Sequence, residues 1–199
     1  MICVIADGDA RHDLSENTAQ SKPPIFSRKQ FRLPVVPQRV EIRPMPPLVI
    51  ERPESLSKFV GREIAVTDWL TVTQEMIRQF AELTDDRQWI HVEPERAKKE
   101  SPYGTTIAHG FLTLSLLGRF LREAIEVKSG AGMRVNYGLN RVRFPAPVGA
   151  ESQLRARVSI QSTRELPGAI EAIYSVVVEC RGADKPSCVA ECIIRYYHG

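Results

Sequence analysis

The chain has 199 residues, 43% hydrophobic and 26% charged, with a formal net charge of +3. That is the composition of one ordinary soluble domain plus an appendage. The charge divides as +2 over residues 1–50 and +1 over the rest, so the folded part offers no basic face for nucleic acid. No apolar run reaches the roughly 20 residues of a membrane span. Four cysteines, Cys3, Cys180, Cys188 and Cys192, form neither a CxxC pair nor a dense scaffold, which predicts free thiols in a reducing, cytoplasmic setting. Cys188 and Cys192 share a face, but no histidine or second pair completes a metal set, so they are expected to be small buried hydrophobes.

Residues 1–53 hold eight of the fourteen prolines and show no sustained hydrophobic period. They are expected to be a flexible, proline-rich N-terminal extension, with the folded domain over residues 54–199. Pro34-Val35-Val36-Pro37 and Pro44-Met45-Pro46-Pro47 match proline-rich docking ligands, but a dispensable leader is the plainer reading. Met1 to Ala6 is too short for a signal peptide, and Asp7 and Asp9 follow.

Ser55 to Val60 suits a short helix, and Glu63 to Val72 a first strand. Thr73 offers a hydroxyl cap to a helix with Met76, Ile77, Phe80 and Leu83 on one side, ending near Thr84. An acidic, histidine-bearing loop, Asp85 to His91, comes next, then a brief helix from Pro94 to Lys99. From Phe111 to Ile125 the apolar residues fall at ones, threes and fours and cover most of the circumference. This predicts one long helix enclosed on several sides. Four strands follow, Met133 to Phe144, Ser152 to Thr163, Ile170 to Cys180 and Ser187 to Tyr197, joined by turns that favour antiparallel pairing. A single sheet can bury so apolar a helix only by wrapping it, which predicts an α+β hot-dog fold. Arg155 and Arg157 alternate with apolar neighbours and read as a solvated strand face, one of whose cations could meet a phosphate; Trp69 and Trp89 read as packing residues.

Asp86 and His91 lie five residues apart, a spacing that a helix separates by about 140° and a strand puts on opposite faces. They converge only if the loop doubles back, with Trp89 and Ile90 anchoring the turn. A carboxylate and an imidazole around one water form an acid and base unit; the alternative is a solvated turn acid beside a half-buried histidine. If the apolar helix starts near Ala108 to Gly110, its unpaired amides could hold a developing oxyanion, with Gly110 leaving room for a ligand. Otherwise Gly110 only permits close packing and His109 caps or bonds locally.

The run Thr84-Asp85-Asp86-Arg87-Gln88-Trp89-Ile90-His91-Val92-Glu93-Pro94-Glu95-Arg96-Ala97, with Tyr103-Gly104, Ile107-Ala108-His109-Gly110-Phe111-Leu112, the stretch Val135 to Val148 and Arg195-Tyr196-Tyr197, closely resembles the MaoC-like dehydratases, or (R)-specific enoyl-CoA hydratases. It resembles most the branch related to nodulation protein N, where Gln-Trp replaces Asn-Pro before Ile-His. The resemblance spans about Ser55 to Tyr197. It implies that Asp86 and His91 bind the water that adds across a trans-2-enoyl thioester, and that the Gly110 amide receives the thioester carbonyl. It implies an acyl-CoA substrate giving a (3R)-3-hydroxyacyl-CoA, no cofactor or metal, and a homodimer. Asp85 stands where the family usually has glycine, so it is expected either to repel its neighbour or to twist the turn. The rival readings are an acyl-CoA thioesterase of the hot-dog class and a non-catalytic acyl-thioester binding protein.

Overall fold

The computed structural model describes residues 44–199. The readings for residues 1–43, including Cys3 and the first proline-rich match, lie outside the described residues. The expected boundary at residue 53 falls inside packed structure: strand β1, Leu48–Ile50, pairs in parallel with β4, Ile125–Val127, and Ile50 is buried. Met45 also donates its amide to the Val66 carbonyl at 3.0 Å. A 3-10 helix, Pro53–Phe59, follows.

The main sheet is antiparallel throughout. It contains β2 (Glu63–Val66), β3 (Leu70–Val72), β5 (Met133–Arg143), β6 (Ser152–Leu166), β7 (Ala169–Cys180) and β8 (Cys188–Tyr197), in the order β2-β6-β7-β8-β5, with β3 also on β6. The expected first strand is split in two because the Thr67 hydroxyl, rather than a carbonyl, accepts the Ala156 amide at 2.9 Å. One sheet face carries Leu154, Ala156, Val158 and Ile160 from β6, Ala172, Tyr174, Val176 and Val178 from β7, and Cys188, Ala190, Cys192, Ile194 and Tyr196 from β8, all buried in one core.

Against that face lie α4, Gly110–Ser115, and α5, Leu117–Ala124, in place of one uninterrupted helix. They meet at Leu116, which keeps right-handed helical angles (φ −66°, ψ −17°), so the chain does not leave helical space there. Ile125 belongs to β4 rather than to the helix end. The expected enclosure is also incomplete. Leu112, Leu117, Phe120, Leu121 and Ala124 are buried, but Phe111 is 69% exposed. The open side lies toward edge strand β5, most of whose residues are exposed, so nothing among the described residues covers it.

The outer face of the sheet departs from a solvated strand face. Arg155 is buried, its Nε donating to Glu179 at 2.7 Å and its guanidinium lying 4.5 Å from the Trp69 ring. Arg157 is half-buried and forks onto Glu63 at 2.8 and 2.9 Å. Cross-strand acids opposite the cations draw both side chains onto the sheet instead of into water. Cys180, Cys188 and Cys192 are free thiols; burial pushes Cys188 up to about 12 and Cys192 up to about 11, as inert apolar side chains require.

Candidate active site

Helix α1, Gln74–Thr84, sets the loop in place. The Thr73 hydroxyl accepts the Met76 amide at 3.2 Å, as its cap position predicts. The helix stops at Asp85, which is left-handed (φ 57°, ψ 19°) and pairs with Arg87 at 3.3 Å. Of the two effects expected of an aspartate at a glycine position, the twist is what the backbone displays. Only glycine enters this region freely, although Asp and Asn tolerate it better than most residues. After Asp86 to Gln88, a single helical turn, α2, Trp89–Val92, turns His91 back inward. Trp89 lies under Arg96, whose guanidinium is 4.6 Å from the ring.

His91 is held from several sides. Its Nδ1 lies 2.6 Å from the Ile107 carbonyl, and the Ile107 amide returns a bond to the Ile90 carbonyl at 2.9 Å. The His91 carbonyl accepts from Gln74 Nε2 at 2.8 Å, and Gln74 Oε1 accepts the Thr106 hydroxyl. Because a carbonyl only accepts, Nδ1 must carry the proton, which leaves a lone pair on Nε2 in the neutral ring. Burial lowers the pKa of His91 below its ordinary value of 6.5; the Ile107 bond and Asp86 oppose the shift, and His109 adds to it.

The structure brings Asp86 and His91 together. A carboxylate oxygen of Asp86 and ring nitrogens of His91 and His109 lie within 4.8 Å of one another. The Asp86 side chain is largely exposed and His91 is buried, so the acid faces water while the imidazole backs it. The sequence gives His109 either a capping role or a local hydrogen bond, and it makes no side-chain cap for α4. Its Nε2 instead bonds the Asp86 carbonyl at 2.9 Å, and its ring stacks on His91 with centroids 3.7 Å apart and planes 25° apart. That arrangement does not suit a metal, because the His109 Nε2 that donates to the Asp86 carbonyl has no lone pair left for an ion.

Gly110 opens α4 directly after His109. As the first helical residue, its amide has no acceptor within the helix. A Cβ at Gly110 would lie 3.1–3.2 Å from the Phe144 ring, so glycine is what lets this aromatic cover the helix mouth. Farther along the helix pair, Leu114, Leu117, Gly118, Leu121, Asn136 and Cys192 contribute to a mostly apolar cavity of about 240 Å³.

A sheet folded over a helix pair, with its polar cluster at the mouth of that pair, places the molecule in the hot-dog class. The solved (R)-hydratase of Pseudomonas aeruginosa has the same fold, with a TM-score of 0.54 and 20% identity over 70% of this chain and 83% of that one. The profile of the family described as "MaoC like domain" matches residues 55–179, and the chain belongs to that family. It is 49% identical, over 71% of its length and 93% of the relative's, to 3-hydroxyacyl-thioester dehydratase Z of Mycobacterium tuberculosis. To nodulation protein N of Rhizobium leguminosarum bv. viciae it is 43% identical, over 67% of this chain and 84% of that protein. The protein is an enzyme of the hydro-lyase class. Among the described residues no helix is long and apolar enough to cross a membrane.

Proposed function

We propose that this protein adds water to, or removes it from, an acyl thioester, interconverting a trans-2-enoyl-CoA and a (3R)-3-hydroxyacyl-CoA by syn addition. The observation that carries the reading is the convergence of Asp86 and His91 beside His109, the residue directly before Gly110 at the start of α4. Two hydrogen bonds of about 2.8 Å meeting at one tetrahedral water span about 4.6 Å, which matches the limit of 4.8 Å between the carboxylate and imidazole atoms. With Nδ1 committed to Ile107, His91 presents Nε2 as the base toward that water. Asp86 orients the water, its hydroxyl goes to the β-carbon, and its proton is relayed through the pair to the α-carbon, so one whole water is added. The Gly110 amide takes the enolate-like oxygen, and the acyl tail runs past Leu114 into the apolar cavity.

The companion reading is a homodimer in a reducing, cytoplasmic compartment. Leu139 on edge strand β5 and the pair Phe111 and Phe144, packed edge-on at 6.3 Å, are exposed apolar side chains near a strand rim that is unpaired among the described residues. A second copy covers such a surface most economically, and light scattering tests it.

The deciding assay is hydration of crotonyl-CoA and longer enoyl-CoAs, followed by loss of enoyl absorbance with a parallel thiol measurement. Turnover without thiol release is expected, and Asp86→Asn and His91→Ala should each lower kcat by on the order of 10² to 10⁴. Thiol release would favour a thioesterase, and near-native turnover in either variant would remove that residue from the mechanism.

A further inference from the structure

We infer that His109 is a positioning residue for the reaction: its ring ties the Asp86 main chain to the His91 imidazole, so that the acid and the base are held as one unit. The inference rests on reading Asp86 and His91 as the reacting pair. Asp86 follows a left-handed residue, sits on a stretch with no regular structure, and has a side chain 59% exposed. A carboxylate so placed would sample many positions, yet the water must be held to within about 0.5 Å of productive geometry. Among the described residues, the bond that anchors Asp86 is the one its carbonyl accepts from His109 Nε2 at 2.9 Å. The carboxylate lies 3.9 Å from the same nitrogen, beyond a hydrogen bond, and so stays available to water.

The other end of the tie is the ring face. His109 is 4% exposed and stands between Phe80, at 5.1 Å, and His91, at 3.7 Å. With Nε2–H committed to Asp86, the neutral ring carries its lone pair on Nδ1, which is buried with no partner among the described residues. That nitrogen is enclosed away from water and the other is committed to a main-chain carbonyl, so the ring orients rather than reacts. The groups facing His91 are Asp86 from the loop, His109 from the start of α4, the Ile107 carbonyl, and neutral Gln74 from α1. His109 is thus the element that touches both members of the pair.

The test compares two amides in the full-length chain. In His109→Gln the side-chain amide can still reach the Asp86 carbonyl; in His109→Asn it is one methylene too short. His109→Asn should lower kcat on crotonyl-CoA by on the order of 10², the usual cost of a displacement of about 1 Å, with KM within about three-fold. His109→Gln should recover most of that loss. Hydrogen–deuterium exchange over residues 84–89 should quicken in His109→Asn and stay near wild type in His109→Gln. Equal kcat in wild type and His109→Asn, or equal loss in both variants with unchanged exchange, overturns the inference. If the wild type turns over no enoyl thioester, the functional reading fails, while the exchange comparison still decides whether His109 anchors the loop. Should His109→Asn fail to fold, a His109→Gln that matches it in exchange and activity overturns the tie, and one that behaves as wild type supports it.

Discussion

Gly110→Ala separates a role in catalysis from a role in packing, because the structure predicts opposite sizes for the two effects. The new methyl would lie 3.1 Å from Phe144 Cδ2 and 3.2 Å from Cε2 and Cγ, short of optimal carbon contact by about 0.3–0.9 Å. Phe144 is 41% exposed, so the ring can turn outward instead of straining the backbone. Alanine at a helical position also recovers up to about 0.5–1 kcal/mol relative to glycine. The net change in folding free energy should therefore lie within about 1 kcal/mol. Activity should respond much more strongly, since the methyl and the displaced ring crowd the amide proposed to receive the thioester oxygen. Loss of one such donor costs about 2.7–4 kcal/mol, or 10² to 10³ in kcat. Steady-state hydration of crotonyl-CoA, run beside a thermal melt, measures both. A variant melting within about 3 °C of wild type with kcat within three-fold would show that this amide does not stabilise the transition state.

Three further perturbations have outcomes set by the structure. The pKa of His91 is lowered below 6.5 chiefly by burial, so the unfolded chain takes up its proton first as pH falls; the associated stability is complete above pH 6.5 and is lost below it. A comparison of melts at pH 7.5 and 5.5 should show a smaller acid-side loss in His91→Gln than in wild type, and the acid limb of kcat/KM should fall below 6.5. Asp85→Gly removes a left-handed aspartate and should stabilise by about 0.5–1 kcal/mol, since the ion pair it gives up with Arg87 is exposed and contributes little; an unchanged or lower melt would contradict this. Tyr174 and Tyr196 share a buried hydroxyl–hydroxyl bond of 2.8 Å, so Tyr174→Phe should cost about 1–3 kcal/mol by stranding its partner, and the double Phe variant less than the sum of the singles. Additive losses in denaturant unfolding would show that the bond does not couple them.

Periodic segments were legible because burial imposes a period. The four long strands, the capped helix from Gln74 and the apolar run after Gly110 all follow from alternation or from three- and four-residue spacing. What escaped notice depends on partners distant in sequence. Leu48–Ile50 carries no period of its own and becomes a strand because β4 lies beside it. Arg155 reads as solvated until Glu179 is placed opposite it across 24 residues of chain. The open flank of the helix pair was hidden for a related reason: apolar residues record that a face is to be covered, not which molecule covers it.

The candidate active site divides along the same line. Asp86 and His91 stand out because their spacing fits no regular element and therefore demands a fold-back, which Asp85 begins by turning left-handed and the turn Trp89–Val92 completes. His109 has no comparable signal, since its partner is a main-chain carbonyl 23 residues away and no side-chain pattern marks a carbonyl. The two imidazoles are oriented by backbone oxygens, Ile107 for one and Asp86 for the other. The Ile107 oxygen is set by a segment tied at the Ile107 amide to Ile90, at Ala108 to Val148 and at Ala150 to Thr106. Proton placement at the site is thus decided by the path of the chain between α2 and the loop before β6. A substitution that moves this path, even without touching an imidazole, changes which nitrogen bears the proton and with it the capacity of His91 for the base role proposed for it.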